Sequence, residues 1–527
     1  MTGRKYIFMS LGLTVALLAA TAYAGKKPRA KKARDPGPPI DQSVFKNYQC
    51  PEWFRDAKFG LWIHWGPQGV PMTGGGFYGC RLYEPDFARG GPSTNAYPHH
   101  VRTYGHPSEF GYKDLIPLWT AEHFDPEALA AQFKQWGARY VTATANHHDH
   151  FDLFDSSNPW NSVNMGPKRD IVGEFGAAAR RQNLKFGITI HDNRHWNYFK
   201  YAFGSDKTGP KKGVPYDGHL TKEDGKGKWW EGYDPAELYG PPLDQRTPAK
   251  ERAMKEAWMR RHIEMIDKYE PDLLYQDSLK YSYGAYGQKL YEHLYKKSIQ
   301  KHGSNQAVGN IKKHPPQGWV ADIEAGGAAE TLPYPWQTEH TFTCWFYNAD
   351  IEPRHNALTI IELLCDVVSK NGNVLFNIEL KPDGSIPVYQ FEQMEKVGAW
   401  LAVHGEAIYD TRPWRVYGEG PTLVGGGTGK ARKVGSPPFK DNDFRFTAKG
   451  DTLYVFVLGH PTGWTTVKSL GSAGNERPLT IGTVDRLGTS DALEFRQDAQ
   501  GLHINLPNAS SSKYPMVLKL PGALRSS

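Results

Sequence analysis

One aspartate, three histidines and a group of glutamates give this chain its capacity for acid–base or nucleophilic chemistry. Asp277 ends the stretch Leu273-Leu274-Tyr275-Gln276, an apolar run of strand length after Pro271-Asp272. A carboxylate at the C-terminal end of a buried strand is how alternating α/β folds deliver a reactive group, although such an aspartate also serves as a turn residue or helix cap. His64 closes Phe59-Gly-Leu-Trp-Ile-His, and His147, His148 and Asp149 follow Ala145-Asn146. A His-His-Asp cluster suits hydrogen bonding to a substrate or a metal site. No His-x3-His pair with a downstream acid stands in a convincing place, and the four cysteines (Cys50, Cys80, Cys344, Cys365) lack zinc-like spacing, so no metal is expected. They are also too few for a disulfide scaffold, and sequence assigns no pairing among them.

Alternating strand and helix patterns must position these groups. Strands are predicted at Phe59 to Trp65, Arg139 to Ala145, Lys185 to Ile190, Leu273 to Tyr275, Ala307 to Ile311, Val320 to Ile323, Thr341 to Phe346 and Asn373 to Glu379. Helical patterns fall between them, as at Asp125-Pro126 onward, Gly173 to Arg181, Lys250 to Lys268 and Asn356 to Ser369, and Gln390 to Val403 closes the series. Eight such strands predict a (β/α)8 barrel over residues 49–412. A doubly wound sheet is the alternative, but the Gly-rich dinucleotide fingerprint is missing. Phe199 to Gln245 has no clear period, and a loop of that length after the third strand is expected to wall the active site. Beyond Pro413-Trp414, short strands set among Gly, Pro, Asn and Asp predict a C-terminal antiparallel β-sandwich, residues 413–527.

The net charge of +7 is misleading: of 63 Lys and Arg, eight lie in residues 1–34 without one acid, leaving 55 bases against 56 acids. The folded body therefore carries no bulk basic footprint for nucleic acid. Met1–Ala24 reads as a signal peptide, with Arg4-Lys5, an apolar run and Ala22-Tyr23-Ala24 before Gly25. Residues 25–48 read as a basic tether, with the ordered body beginning near Cys50. No later run reaches the roughly 18 apolar residues of a membrane span. An exported protein, secreted or periplasmic, is the expectation. Sixteen Trp and 28 Tyr exceed what an ordinary core needs and suit clefts that stack on sugars.

Several motifs together resemble the retaining α-L-fucosidases of glycoside hydrolase family 29. They are Phe59-Gly-Leu-Trp-Ile-His-Trp-Gly, Gly137-Ala-Arg-Tyr-Val with His147-His148-Asp149, Trp160 to Asp170, Pro271 to Asp277, Asn371-Gly-Asn-Val-Leu-Phe-Asn-Ile-Glu and Gly405 to Trp414. The resemblance covers about residues 50–415. It implies a barrel followed by a sandwich, no cofactor, and a fucose-containing oligo- or polysaccharide as partner. Asp277 matches the nucleophile, and His64, His147 and His148 match residues that bind fucose hydroxyls. Trp65 and Tyr275 are expected to line the sugar site, Tyr275 replacing the Trp usual two residues before the nucleophile.

A retaining glycosidase also needs a second carboxyl, about 5–5.5 Å from the first, to protonate the departing oxygen. Glu324, directly after a strand in Asp322-Ile-Glu324, is the expected acid/base, with Glu330 and Glu339 behind it; Gln337 cannot serve. Lys312, Lys313 and Arg81 motivate the expectation of an anion-tolerant pocket, as for a sulfated fucan. An α-L-galactosidase of the same mechanism and a non-catalytic carbohydrate-binding protein are the alternatives.

Overall fold

The computed structural model describes residues 35–473, 479–490, 492–507 and 513–525. The signal-peptide reading and residues 25–34 of the tether lie outside them.

Eight parallel strands close into a barrel in sequence order: β1 (Phe59–Ile63), β2 (Tyr140–Asn146), β3 (Lys185–Ile190), β4 (Leu273–Gln276), β5 (Val308–Ile311), β6 (Val320–Asp322), β7 (Trp336–Thr341) and β8 (Gly372–Ile378). β8 pairs back onto β1, with Leu61 opposite Phe376. Nearly every residue in these strands is buried, which is why most of them read as continuous apolar runs and not as alternations.

Helix starts follow their caps. Asp125, Asp170 and Thr247 each accept backbone N–H bonds at the head of Pro126–Gln135, Ile171–Arg181 and Pro248–Tyr269. The helix Ala357–Ser369 is apolar almost all round and is buried almost throughout. It lies between the barrel and the second layer of the molecule, where its Asp366 receives Lys370 Nζ at 2.8 Å and Arg445 Nε at 2.6 Å.

The C-terminal region starts with β9 (Arg412–Glu419) and continues through β10 (Phe444–Lys449), β11 (Thr452–Val457), β12 (Gly463–Val467), β13 (Asp485–Arg486), β14 (Phe495–Gln497), β15 (Leu502–Leu506) and β16 (Met516–Leu520). These form antiparallel sheets ordered β13-β16-β11-β10-β9 and β12-β15-β14. Phe444, Phe446, Val455, Ile504 and Leu518 fill a core of their own.

Three expectations change. The seventh strand is Trp336–Thr341, not Thr341 to Phe346. Its sequence, Trp-Gln-Thr-Glu-His-Thr, hides a strand because polar side chains, Gln337 and Glu339, are buried in the barrel interior. The compact body begins at Gly37, ahead of Cys50. Phe45 explains this: buried on the short helix Ser43–Lys46, its ring meets Tyr281 and Tyr295 at 6.1 and 5.8 Å. Lastly, 199–245 does not wall the catalytic cavity, to whose lining it gives no residue; it is a chain of short turns and the helix Pro235–Tyr239, pinned by buried Asp217, which accepts from Tyr83, Tyr239 and Lys113. All four cysteines are free thiols.

Candidate active site

Walking round the barrel, strands β1 to β7 each contribute a polar group at or just past their C-terminal ends. His64 follows β1, His147 and His148 follow β2, His191 follows β3, Asp277 follows β4, Lys312 follows β5, Glu324 lies just past β6, and Glu339 sits within β7. All of them line a cavity of about 1020 Å³. Active sites of this fold form at this end of the barrel because the loops there are free to vary while the strands stay fixed.

Lys312 is the hub. Its ammonium contacts Asp277 Oδ1, Glu324 Oε2 at 3.0 Å and Glu339 Oε1 at 3.2 Å. Sharing one ammonium brings an oxygen of Asp277 and an oxygen of Glu324 together across a single nitrogen, the close pairing of carboxyls that a retaining mechanism needs. Burial favours neutral carboxyls, but Lys312 and then His191 outweigh it at Asp277, whose pKa falls well below the usual carboxylate value. At Glu324 the balance is reversed. Burial raises its pKa, Lys312 opposes, and the charges of Glu339 and Asp277 add to the rise. The two carboxyls are thus driven apart, one toward the ion and one toward the acid. Lys312 itself is pushed down by burial but carried well above its ordinary value by the three carboxylates.

Glu339 is only 1% exposed, against 38% for the Glu324 side chain. It accepts from the Tyr275 hydroxyl at 3.0 Å. Burial, and next to it Glu339, push the Asp322 carboxyl well above its ordinary pKa. Both glutamates line the cavity, and Glu324 is the more open of the two to it. Glu330 is exposed and does not line it.

The opposite wall is imidazole. The rings of His64, His147 and His191 lie with centroids 4.7–5.4 Å apart, and His148 is 4.5 Å from His147. Burial pushes His64 and His147 well below their ordinary pKa and His148 to about 3, so all three are neutral. Hydrogen-bond partners set the tautomers. Gln68 accepts from the Tyr198 hydroxyl and donates to His147 Nδ1 at 2.7 Å, which leaves His147 Nε2 carrying its proton. His191 donates from Nδ1 to Asp277 Oδ2 at 3.0 Å, and its Nε2 lies 3.1 Å from the Thr189 hydroxyl. Both His64 ring nitrogens are buried without a hydrogen-bond partner among the described residues, a cost that a bound hydroxyl would relieve.

His64, His147 and His191 stand close enough to ligate one cation. Both His191 nitrogens and one of His147 are already committed, so a metal would have to displace Asp277, Thr189 or Gln68.

Two expected lining residues lie elsewhere. Trp65 turns away: its indole donates to Lys381 O at 2.9 Å and packs on Trp119 and Phe124, 4.9 and 5.2 Å away, leaving no face for a ligand. Tyr275 lies under the floor, fully buried against Trp62 and Glu339. The aromatic faces on the cavity are Trp62, Phe77 and Trp345. Trp345 has φ of +79°, strain that a bulky side chain tolerates only where the fold holds it. Of the expected anion contacts, Lys312 is committed to carboxylates, and exposed Lys313 lies over Trp319. Arg81 lines a neighbouring cavity.

Sequence reasoning missed His191, Gln68 and the loop after β9. The Ile190-His191 strand end was a readable signal for the first. Gln68 is visible only through its bond to His147. The loop after β9 reaches back over the barrel: Gly426 and Gly427 donate to Gly327 O at 2.8 and 3.0 Å, and Gly429 donates to Glu324 O at 3.0 Å. Thr428 of that loop lines the cavity.

Known proteins supply the last observation. The family profile described as Alpha-L-fucosidase matches residues 29–406. Tissue alpha-L-fucosidase of Rattus norvegicus is 29% identical over 520 residues, covering 95% of this chain and 94% of the relative. The Homo sapiens tissue enzyme is 28% identical over 517 residues, covering 95% and 94%. The crystal structure of Thermotoga maritima alpha-fucosidase in complex with fucose superposes with a TM-score of 0.65 at 27% identity, covering 90% of this chain and 98% of that one. The non-catalytic alternative falls away, and the chain belongs to the α-L-fucosidase family of glycoside hydrolases.

Proposed function

We propose that the protein is an exported retaining exo-α-L-fucosidase that removes terminal fucosyl units from oligo- or polysaccharides by double displacement. The observation that carries the mechanism is the ammonium of Lys312 shared by Asp277 and Glu324, opposite the neutral His64, His147 and His148. Asp277, held ionised, attacks the anomeric carbon as Glu324 gives its proton to the departing oxygen. Glu324, now a carboxylate, then takes a proton from water as that water displaces Asp277. His64, His147 and His148 orient the sugar hydroxyls, bonds that can tighten toward the oxocarbenium-like transition state. The structure of the Thermotoga maritima relative with fucose supports the sugar, and Met1–Ala24 supports export. Proton NMR of the first-formed product, from aryl α-L-fucoside and aryl α-L-galactoside in parallel, tests this reading. Fucose released first as the α anomer is expected; β anomer first would refute double displacement, and faster turnover of the galactoside would reassign the substrate.

Glu324 should set the alkaline limb of the pH profile. Its raised pKa means the proton is lost, and the rate falls, as pH rises through a value above 4.5. Asp277, with its depressed pKa, stays ionised throughout that range. Glu324→Gln should abolish the alkaline limb and cost about 10²–10⁴-fold on a saccharide, whose leaving group needs protonation, but far less on an activated aryl fucoside. An unchanged alkaline limb would exclude Glu324 as the acid.

The loop after β9 makes a separate demand. Gly425 has φ of +91°, and a Cβ there would meet Ala328 O at 2.2 Å. Gly425→Val should lift the loop from the Glu324 turn and lower kcat on saccharides by about tenfold, roughly 1.4 kcal/mol. The loss on activated aryl fucosides should be smaller. Equal losses on both would detach the loop from the proton-transfer step.

A further inference from the structure

At about 1020 Å³ the catalytic cavity stands at the top of the about 300–1,000 Å³ range of small-molecule sites, with room beyond one fucosyl unit. The histidines after β1, β2 and β3 wall one side of it, so the second sugar must leave on the other, where Glu324 protonates its oxygen. Two segments outside the strands reach that side. The turn Ser278-Leu279-Lys280 follows Asp277 directly, and Ser278 O accepts from the Lys312 backbone N–H at 3.0 Å, which ties the turn to the hub of the carboxylates. The loop after β9 is tied to Glu324 by the bond from Gly429, with Thr428 beside it on the cavity. The same loop holds the segment after β7, since Val434 donates to Arg354 O at 2.7 Å.

These segments bring side chains to the cavity that the mechanism does not use. Leu279 lines it yet is 75% exposed, an apolar face left open two residues from the nucleophile. Lys280 and Arg354 line it too, both exposed and neither with a carboxylate partner among the described residues. They follow β4 and β7, which flank β5 and β6, so the two cations come from either side of the strand that leads into Glu324. The acids that line the cavity are engaged elsewhere: Asp277, Glu324 and Glu339 all meet on Lys312.

We propose that Leu279, Lys280, Arg354 and Thr428 form the subsite for the leaving saccharide, and that its two cations select a saccharide bearing an anionic group, a sulfate ester or a carboxylate, on the sugar next to the scissile bond. The inference rests on the fucosidase reading of the same cavity. Leu279 offers an apolar surface to the C–H face of a sugar ring, and Thr428 a hydroxyl to its polar edge. The Arg354 guanidinium matches the multiply accepting oxygens of carboxylate and sulfate, and Lys280 adds a point charge. Both cations are solvent-exposed, so their selectivity must weaken with salt, because the screening length falls from about 10 Å at 0.1 M to about 3 Å at 1 M.

The test compares kcat/KM for three α-L-fucosyl disaccharides whose second sugar is neutral, sulfated or a uronate. Measurements are made at low salt and at high NaCl, with wild type and with Lys280→Gln/Arg354→Gln. A second pair, Arg89→Gln/Lys200→Gln, removes two cations from the neighbouring cavity beyond Phe77. Wild type should prefer at least one acidic substrate over the neutral one by about tenfold at low salt. High salt and the first pair should each bring that ratio toward unity, and the second pair should leave it in place. A preference for one acidic disaccharide alone identifies its group, sulfate or carboxylate; a preference for both identifies any anion. A wild-type ratio of one, a ratio that salt does not move, or a ratio abolished by the second pair and not by the first overturns the proposal. The wild-type ratio and its salt dependence need no variant, so misfolding of either pair would not rescue it. Normal hydrolysis with a ratio of one would overturn this proposal alone, whereas hydrolysis of neither aryl fucoside nor any disaccharide would overturn the fucosidase reading with it.

Discussion

Asp277→Gly should lower turnover of an aryl α-L-fucoside by on the order of 10⁴-fold or more, about 5.5 kcal/mol of transition-state stabilisation. The expected loss is large because Asp277 meets the three requirements of a nucleophile together. It is ionised, by Lys312 and His191 against the pull of burial. It is oriented, with one oxygen on each of those partners and its backbone carbonyl accepting from Asn193 at 3.0 Å. It faces the sugar-sized cavity. The glycine variant leaves a gap beside Lys312 into which a small anion fits. Azide should therefore restore turnover and yield the β-fucosyl azide, since it attacks from the face Asp277 occupied. A variant that keeps a tenth of the activity, or an azide product of α configuration, would rule out the assignment.

Lys312→Met should have the next largest effect, and a more diagnostic one. In the intact protein, Asp277 carries a depressed pKa, so its contribution to stability is present above the unfolded carboxylate value and is lost only as pH falls through the lower folded value. Lys312 carries a raised pKa, so its contribution is present below the ordinary lysine value and is lost only as pH rises through the higher folded one. Between about pH 4 and pH 10 the pair is therefore constant. Without Lys312, Asp277, Glu324 and Glu339 share a partly buried space with no cation of their own, and both catalytic pKa values move up. The bell-shaped profile should shift bodily to higher pH, with kcat/KM at its optimum reduced about 10²–10³-fold. Stability should fall by about 3–5 kcal/mol at neutral pH, the usual cost of stripping one partner from a buried ion pair. Part of that loss should return on acidification, as the carboxylates take up protons. Lys312→Arg, which keeps the charge, should recover part of the rate; an unshifted profile in Lys312→Met would show that the lysine does not tune Asp277.

What could be read in the chain beforehand divides along physical lines. Apolar strands announce themselves, so β1 to β6 and β8 were visible, together with the residues that end β1, β2 and β4. Trp336–Thr341 was not, because a strand whose inward side chains are Gln337 and Glu339 carries no apolar signature. That strand holds the carboxylate which, through Lys312 and Tyr275, organises the floor of the site. Trp65 shows the opposite error. Adjacent to His64 in sequence, it points to the other side of the chain, as successive residues of an extended segment do, and it fills the core behind the barrel. Gln68 and the loop at Gly425–Gly429 act through contacts made only on folding, the latter across a boundary between barrel and sandwich. Residue types could not have revealed either.

The most direct measurement is peptide mapping by mass spectrometry of the Glu324→Ala variant, quenched during turnover of an aryl α-L-fucoside with a good leaving group. Such a substrate forms the glycosyl-enzyme without help from the acid, whereas hydrolysis of that ester still needs the missing base. A single fucosyl unit esterified to Asp277 is the predicted result. No adduct, or one carried by Glu324's neighbours or Glu339 in place of Asp277, would contradict the account.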